Sequence, residues 1–142
     1  AVLKSEAYPH ALGVGDILIT ADTVVICGGR IFGKPDGREG AAAMLAELSG
    51  RRHTVVTGGA LRAPGRMRSF SVSSDVWFRP LAEEEIAYYV DTFRPYDKAG
   101  SYGIQEWIGY VAIERIEGSF YNVMGLPMQA LYAELGSFVD TL

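Results

Sequence analysis

The stretch Asp16-Ile17-Leu18-Ile19-Thr20-Ala21-Asp22-Thr23-Val24-Val25-Ile26 decides how this chain is read. Ile17, Leu18, Ile19, Val24, Val25 and Ile26 are strand formers, and together they predict a buried strand. Asp22 breaks the pattern. A carboxylate inside an apolar run is costly unless it is paired, hydrogen-bonded or bound to a cation. The economical reading puts Asp22 where the strand leaves the core and borders a cleft. Taken alone, Asp22 is equally compatible with a structural, hydrogen-bonded aspartate.

Outward from this strand, the pattern changes repeatedly between strand and helix. Residues 1–9 read as the end of a helix stopped by Pro9, and residues 10–16 as a loop. After the strand, Gly28-Gly29 lies between two apolar runs and predicts a hairpin, because both central turn residues can take positive φ. Asp36 is the expected N-cap of a helix whose stripe is Ala41, Ala42, Met44, Leu45 and Leu48. Residues 53–62 read as a strand that turns at Ala63-Pro64-Gly65. Residues 67–78 then alternate Phe70, Val72, Ser74 and Val76 on one side, as a half-solvated partner strand does. Glu83 to Phe93 predicts a second helix, with three glutamates in the first turn where the helix dipole favours them. Residues 94–106 read as a loop, 107–116 as a strand and 119–126 as a loop. A closing helix is expected with Pro127 at its first position. Strands and hairpins mixed with three or four helices predict an α/β fold, with a mixed sheet and flanking helices. At 142 residues the chain reads as one domain, 1–142.

Composition narrows the function. A net charge of −4 argues against a surface that coats nucleic acid. No apolar run reaches the roughly 18 residues needed to span a bilayer, so no membrane partner is expected. One cysteine, Cys27, rules out an intrachain disulfide and fits a reducing, cytoplasmic compartment. Cys27 itself reads as a packing residue, and His10 and His53 as structural or solvated side chains. The tryptophans and tyrosines read as core and interface.

Chemistry is concentrated in four polar stretches: Thr20 to Thr23, Gly33-Lys34-Pro35, Asp97 to Gln105, and Gly118 to Asn122. They supply carboxylates (Asp22, Asp97), ammonium groups (Lys34, Lys98), an amide (Gln105) and glycines that let backbone N–H groups approach a ligand. This set suits phosphate chemistry. Lysines offset phosphate charge, Asp22 and Asp97 can hold a hard divalent cation, and a carboxylate can act as general base toward water. Each signal is weak by itself. Gly-Lys-Pro lacks the Walker A pattern, Lys34 could be a solvated turn lysine, Asp97-Lys98 a surface pair, and Gln105 a turn cap.

Taken in order, the motifs resemble the Maf (septum-formation) family. The matching pieces are Ala-Asp-Thr-Val-Val (21–25), Gly-Lys-Pro (33–35), Met-Leu to Thr-Gly (44–58), Asp-Lys-Ala-Gly-Ser-Tyr-Gly-Ile-Gln (97–105) and Gly-Ser-Phe-Tyr-Asn-Val-Met-Gly-Leu-Pro (118–127). The resemblance implies a Maf/ITPase-like fold. It also implies a nucleoside triphosphate pyrophosphatase that yields the monophosphate and pyrophosphate with a divalent cation, Mg²⁺ or Mn²⁺. On that resemblance Asp22 matches the proton acceptor, and Asp22 and Asp97 would serve the metal. Lys4, Lys34 and Lys98 match lysines of the phosphate site, and Thr23 and Gln105 match positions tied to substrate choice. The last motif is similar to the dTTP/UTP branch, and the family implies a homodimer. One departure stands out. Family members open with a strand and a Ser-Pro-Arg-Arg loop whose arginines would hold the triphosphate, and this chain has neither at its start. The expectation is a chain shortened at its N-terminus, lacking that strand and helix. The alternative is a weakly active or inactive nucleotide-binding remnant, or an interaction module that pairs through an open sheet edge.

Overall fold

The computed structural model describes residues 1–141. The apolar runs form a five-stranded sheet: β1 Leu18–Cys27, β2 Arg30–Phe32, β3 Arg52–Ala63, β4 Arg66–Phe78 and β5 Ile113–Glu117. Six helices accompany it: α1 Val2–Glu6, α2 Arg38–Leu48, α3 Glu83–Phe93, α4 Trp107–Ala112, α5 Phe120–Met124 and α6 Met128–Asp140. The strand order is β2-β1-β3-β4-β5, and all four pairings are antiparallel. The α/β class with flanking helices is therefore as expected. The sheet is antiparallel rather than mixed, because neighbouring strands are joined by tight turns or by connections that return to the same end.

The Gly28-Gly29 hairpin is present. Both glycines have positive φ, 57° and 77°, and Cys27 pairs with Arg30 across the turn. The long β3–β4 hairpin pairs Arg52 with Trp77 at one end and Ala63 with Arg66 at the turn. Its inward side chains and those of β1 share one face. Val25, Val55 and Val76 on that face pack with Leu45 and Leu48 of α2, Tyr89 and Val90 of α3, and Ile108 of α4. Further along the same face, Leu61 and Ala63 meet Leu131 and Phe138 of α6. The opposite face carries α1, tied down by Thr20 Oγ1 donating to the Ala1 carbonyl (2.8 Å) and Arg62 Nη2 donating to the Ser5 carbonyl (2.8 Å).

Several local expectations are corrected. Trp107–Ala112 is a helix, and the strand that pairs with β4 is the shorter Ile113–Glu117. Short apolar runs do not distinguish a buried helix from a strand by periodicity. At Gly109 a Cβ would overlap the Ile104 carbonyl oxygen, so only glycine admits this tight turn. Residues 119–126 are not all loop. Ser119 Oγ accepts from the Asn122 N–H (3.1 Å) and caps α5, as serine commonly does. The N-cap of α2 is Gly37 rather than Asp36, and Pro127 is the N-cap of α6 rather than its first helical residue.

Candidate active site

Strand β1 has two unequal edges. On the β3 side it pairs from Leu18 to Ile26, but on the β2 side only Val25, Ile26 and Cys27 have partners. Among the described residues, Leu18 to Val24 are thus open on one edge. Consecutive strand residues point to opposite faces, so Asp22 is on the α1 side and Thr23 on the side of α2 to α6. The open edge allows one cavity, of about 260 Å³, to be lined by both.

All seven residues singled out in the sequence line this cavity: Lys4, Asp22, Thr23, Lys34, Asp97, Lys98 and Gln105. Four segments deliver them. Helix α1 places Lys4 Nζ 3.4 Å from Asp22 Oδ1 and 3.0 Å from the Ala21 carbonyl, to which it donates. Both members of this ion pair are 56% exposed, so each remains open to a ligand and the pair contributes little to stability. Lys34 and the 97–105 loop are linked by the Gly100 N–H donating to the Gly33 carbonyl (3.1 Å). Gly100 has φ 68°, and a Cβ there would lie 2.8 Å from Val25 Cγ2, so glycine is needed for the loop to seat on β1.

Within the loop, Lys98 Nζ lies 3.1 Å from Asp97 Oδ1. The hydrogen bond and charge of Lys98 lower the Asp97 carboxyl below its usual range. A buried support, invisible to the sequence reading, stands behind Gln105. Tyr89 donates to Glu106 Oε1 (2.6 Å) and accepts from the Gly103 N–H (3.1 Å). Burial, with help from Glu106, pushes the Tyr89 phenol up, so it stays protonated. A Cβ on Gly103 would meet Lys98 Cε at 2.9 Å and Gln105 Nε2 at 3.1 Å, so glycine also lets these two side chains lie together.

Two further buried groups, to which the sequence reading assigned no role at the site, support it. Asn122, fully buried, donates through Nδ2 to the carbonyls of Val55 and Val72 (both 3.1 Å) and to Ser74 Oγ (2.9 Å), clamping α5 across β3 and β4. His53, expected to be structural, is buried; its Nε2 lies 2.6 Å from the Tyr102 hydroxyl, behind the cavity wall. Desolvation lowers the imidazole from 6.5 to about 4. Cys27 is buried as a packing residue. The one signal that pointed to Asn122 was its place in the 118–127 motif.

Asp22 and Asp97 are oxygen donors on one cavity, and among the described residues no group of three His, Cys, Asp or Glu side chains comes together. This donor set fits a hard divalent cation completed by phosphate oxygens and water, rather than one held in a closed protein cage. Three ammonium groups and two carboxylates line this one cavity, a set whose charges could hold a polyanion and whose Asp22 could accept a proton.

The comparisons with known proteins agree with that class. The Maf-like protein family matches residues 1–138, and the chain belongs to the Maf family. It is similar to the dTTP/UTP pyrophosphatase of Porphyromonas gingivalis, 60% identical over 143 positions covering 99% of this chain and 72% of that protein. It is also similar to the dTTP/UTP pyrophosphatase of Bacteroides thetaiotaomicron, 55% identical over 93% of this chain and 68% of the relative. The protein of the same description from Christiangramia forsetii is 42% identical over 99% of this chain and 72% of its own length.

Proposed function

We propose that this chain is a nucleoside triphosphate pyrophosphatase that cleaves dTTP and UTP between the α and β phosphates. The observation that carries the reading is the convergence of Asp22, Asp97 and three lysines on one open-edged cavity, in a chain 42–60% identical to dTTP/UTP pyrophosphatases.

The residues divide the work by charge. Lys4, Lys34 and Lys98 offset the triphosphate and the charge that grows on the leaving pyrophosphate. Asp22 takes the proton from water as it attacks the α phosphorus; the bond to the bridging oxygen breaks and pyrophosphate leaves. Lys4, beside Asp22, orients this carboxylate. Asp97 and Asp22 would hold the divalent cation, Mg²⁺ or Mn²⁺, which when bound supplies further charge neutralisation at the phosphates. Thr23 and Gln105 face the nucleoside end and set substrate choice. The reading extends to a single-domain cytoplasmic enzyme working as a homodimer, with the exposed Phe120, Tyr121, Met128 and Tyr132 as the surface a second copy covers. Sedimentation at micromolar concentration tests the dimer.

Incubation with Mg²⁺ and each of the common nucleoside triphosphates tests the activity. Pyrophosphate release is expected first from dTTP and UTP. Absence of release from every nucleotide by the folded chain overturns the proposal.

A further inference from the structure

The loop from Asp97 to Gln105 is fastened unevenly. Its first part is tied to the rest of the protein at several points. The Gly100 N–H donates to the Gly33 carbonyl (3.1 Å), and the Tyr102 hydroxyl lies 2.6 Å from His53 Nε2 in the core. Its last part, Gly103 to Gln105, has less. Among the described residues, the one side chain that bonds the backbone there is Tyr89 of α3, whose hydroxyl oxygen accepts from the Gly103 N–H (3.1 Å).

Gly103 is also the point where two side chains of the cavity meet. A Cβ on it would lie 2.9 Å from Lys98 Cε and 3.1 Å from Gln105 Nε2, and all three residues line the cavity. A shift of the Gly103 backbone therefore disturbs both side chains at once.

Tyr89 is held firmly. It is fully buried, and its ring stacks on Phe93 (centroids 5.2 Å apart) and on Trp107 (6.5 Å). A phenol has one proton to give and accepts through its oxygen. The proton goes to Glu106 Oε1 (2.6 Å), which leaves the oxygen lone pairs for Gly103. Glu106 is bound to the same turn by its own N–H, which donates to the Gly103 carbonyl (3.0 Å). Gly103 is thus held at its N–H from α3 and at its carbonyl from the residue that opens α4. Tyr89 itself does not line the cavity, so its influence on a ligand passes through this turn.

We infer that Tyr89 is a positioning residue for substrate binding: through the Gly103 N–H and Glu106, its hydroxyl fixes the turn that presents Lys98 and Gln105 to the nucleotide. This rests on the nucleoside triphosphate pyrophosphatase reading above. Lys98 supplies charge and Gln105 an amide. A turn free to shift spreads both over several positions, and each binding event then has to order them again.

The test compares kcat and KM for UTP in the parent chain and in Tyr89→Phe, which keeps the ring and its stacking and removes the hydroxyl. KM is expected to rise about tenfold. Turnover is expected to stay within about threefold, because Asp22 and Lys4 stand on β1 and α1, elements that Tyr89 does not bond. In a Lys98→Ala, Gln105→Ala background, adding Tyr89→Phe is expected to change the affinity for UTP, measured by calorimetry without divalent cation, by less than about twofold. A merely structural role would weaken both backgrounds alike. Where Tyr89→Phe fails to fold, Glu106→Ala, which removes the acceptor of the Tyr89 proton, is read in the same way. A folded variant that keeps the parent KM, or that loses as much affinity in the double-alanine background as in the parent, overturns the inference and leaves the proposed function standing. A parent chain that cleaves no nucleoside triphosphate overturns both.

Discussion

The two halves of β1 differ more than their sequences suggest. At Val25 and Ile26 the strand has a neighbour on each side, and Val25 and Cys27 are each 2% exposed. From Leu18 to Val24 it has a neighbour on one side only among the described residues, and Asp22 lies in the open. The closed half anchors; the open half presents chemistry. The brevity of β2, three residues against ten in β1, makes the difference. A site on a strand that is half core inherits rigidity from its neighbours, while its free edge admits a ligand from both faces of the sheet.

This contrast can be broken at either half. The largest effect is expected from Asp22→Asn, which keeps shape and removes the base. Pyrophosphate release should fall by about a thousandfold, with the thermal midpoint unchanged because the side chain is exposed. A coincident loss of stability would mean that the open half is structural after all.

Acid should strike the closed half. His53, opposite that end of β1, is held neutral by burial, with its imidazole lowered from 6.5 to about 4. A depressed imidazole binds fewer protons folded than unfolded between these values. Stability is therefore complete above about pH 6.5 and falls as pH drops toward 4, by about 3 kcal/mol in all. Urea midpoints measured across that range should show the slope, and His53→Gln, which cannot charge, should flatten it.

Val25→Ala tests the same end by packing. Truncating a buried valine should cost about 2 kcal/mol. The Gly100 loop rests on Val25, so activity should also drop modestly as Lys98 and Asp97 lose their seat; paired denaturation and KM measurements separate the two.

The smallest effect is expected from Glu47→Gln. It breaks the 2.6 Å pair with Arg30 beside the hairpin, an exposed contact. The loss should be below about 1 kcal/mol, with no change in turnover. A larger cost would show that β2 depends on this pair to close its half of β1.

Much of this architecture is legible in the residues. The Gly28-Gly29 hairpin follows from chirality, since both turn positions need positive φ. The face of β4 follows from period-2 alternation, and the Glu83 to Phe93 helix from its stripe and acidic first turn. The polar breaks in the apolar pattern marked Asp22, Thr23, Lys34, Asp97, Lys98 and Gln105, because a polar group in a core pattern needs a reason.

Other features are not local properties. The helix at Trp107 to Ala112 sets Gly109 against the Ile104 carbonyl, a contact no propensity encodes. Thr57 reads as one more β-branched residue in a strand, and its contact with the Thr23 hydroxyl arises only from the register that sets the two opposite. The Tyr89–Glu106 bond joins a helix to a loop 17 residues on.

The sequence by itself determined the long strands, the longer helices, the hairpin turns and the types of chemistry available, because these follow from backbone sterics, apolar period and side-chain functional groups. Only the tertiary structure decided that β1 is open from Leu18 to Val24 among the described residues, that residues from four separate segments share one cavity, and that buried Thr57, Tyr89 and Asn122 bond the elements around it. Distances between groups far apart in the chain are products of strand register and packing, and neither is written in any single stretch.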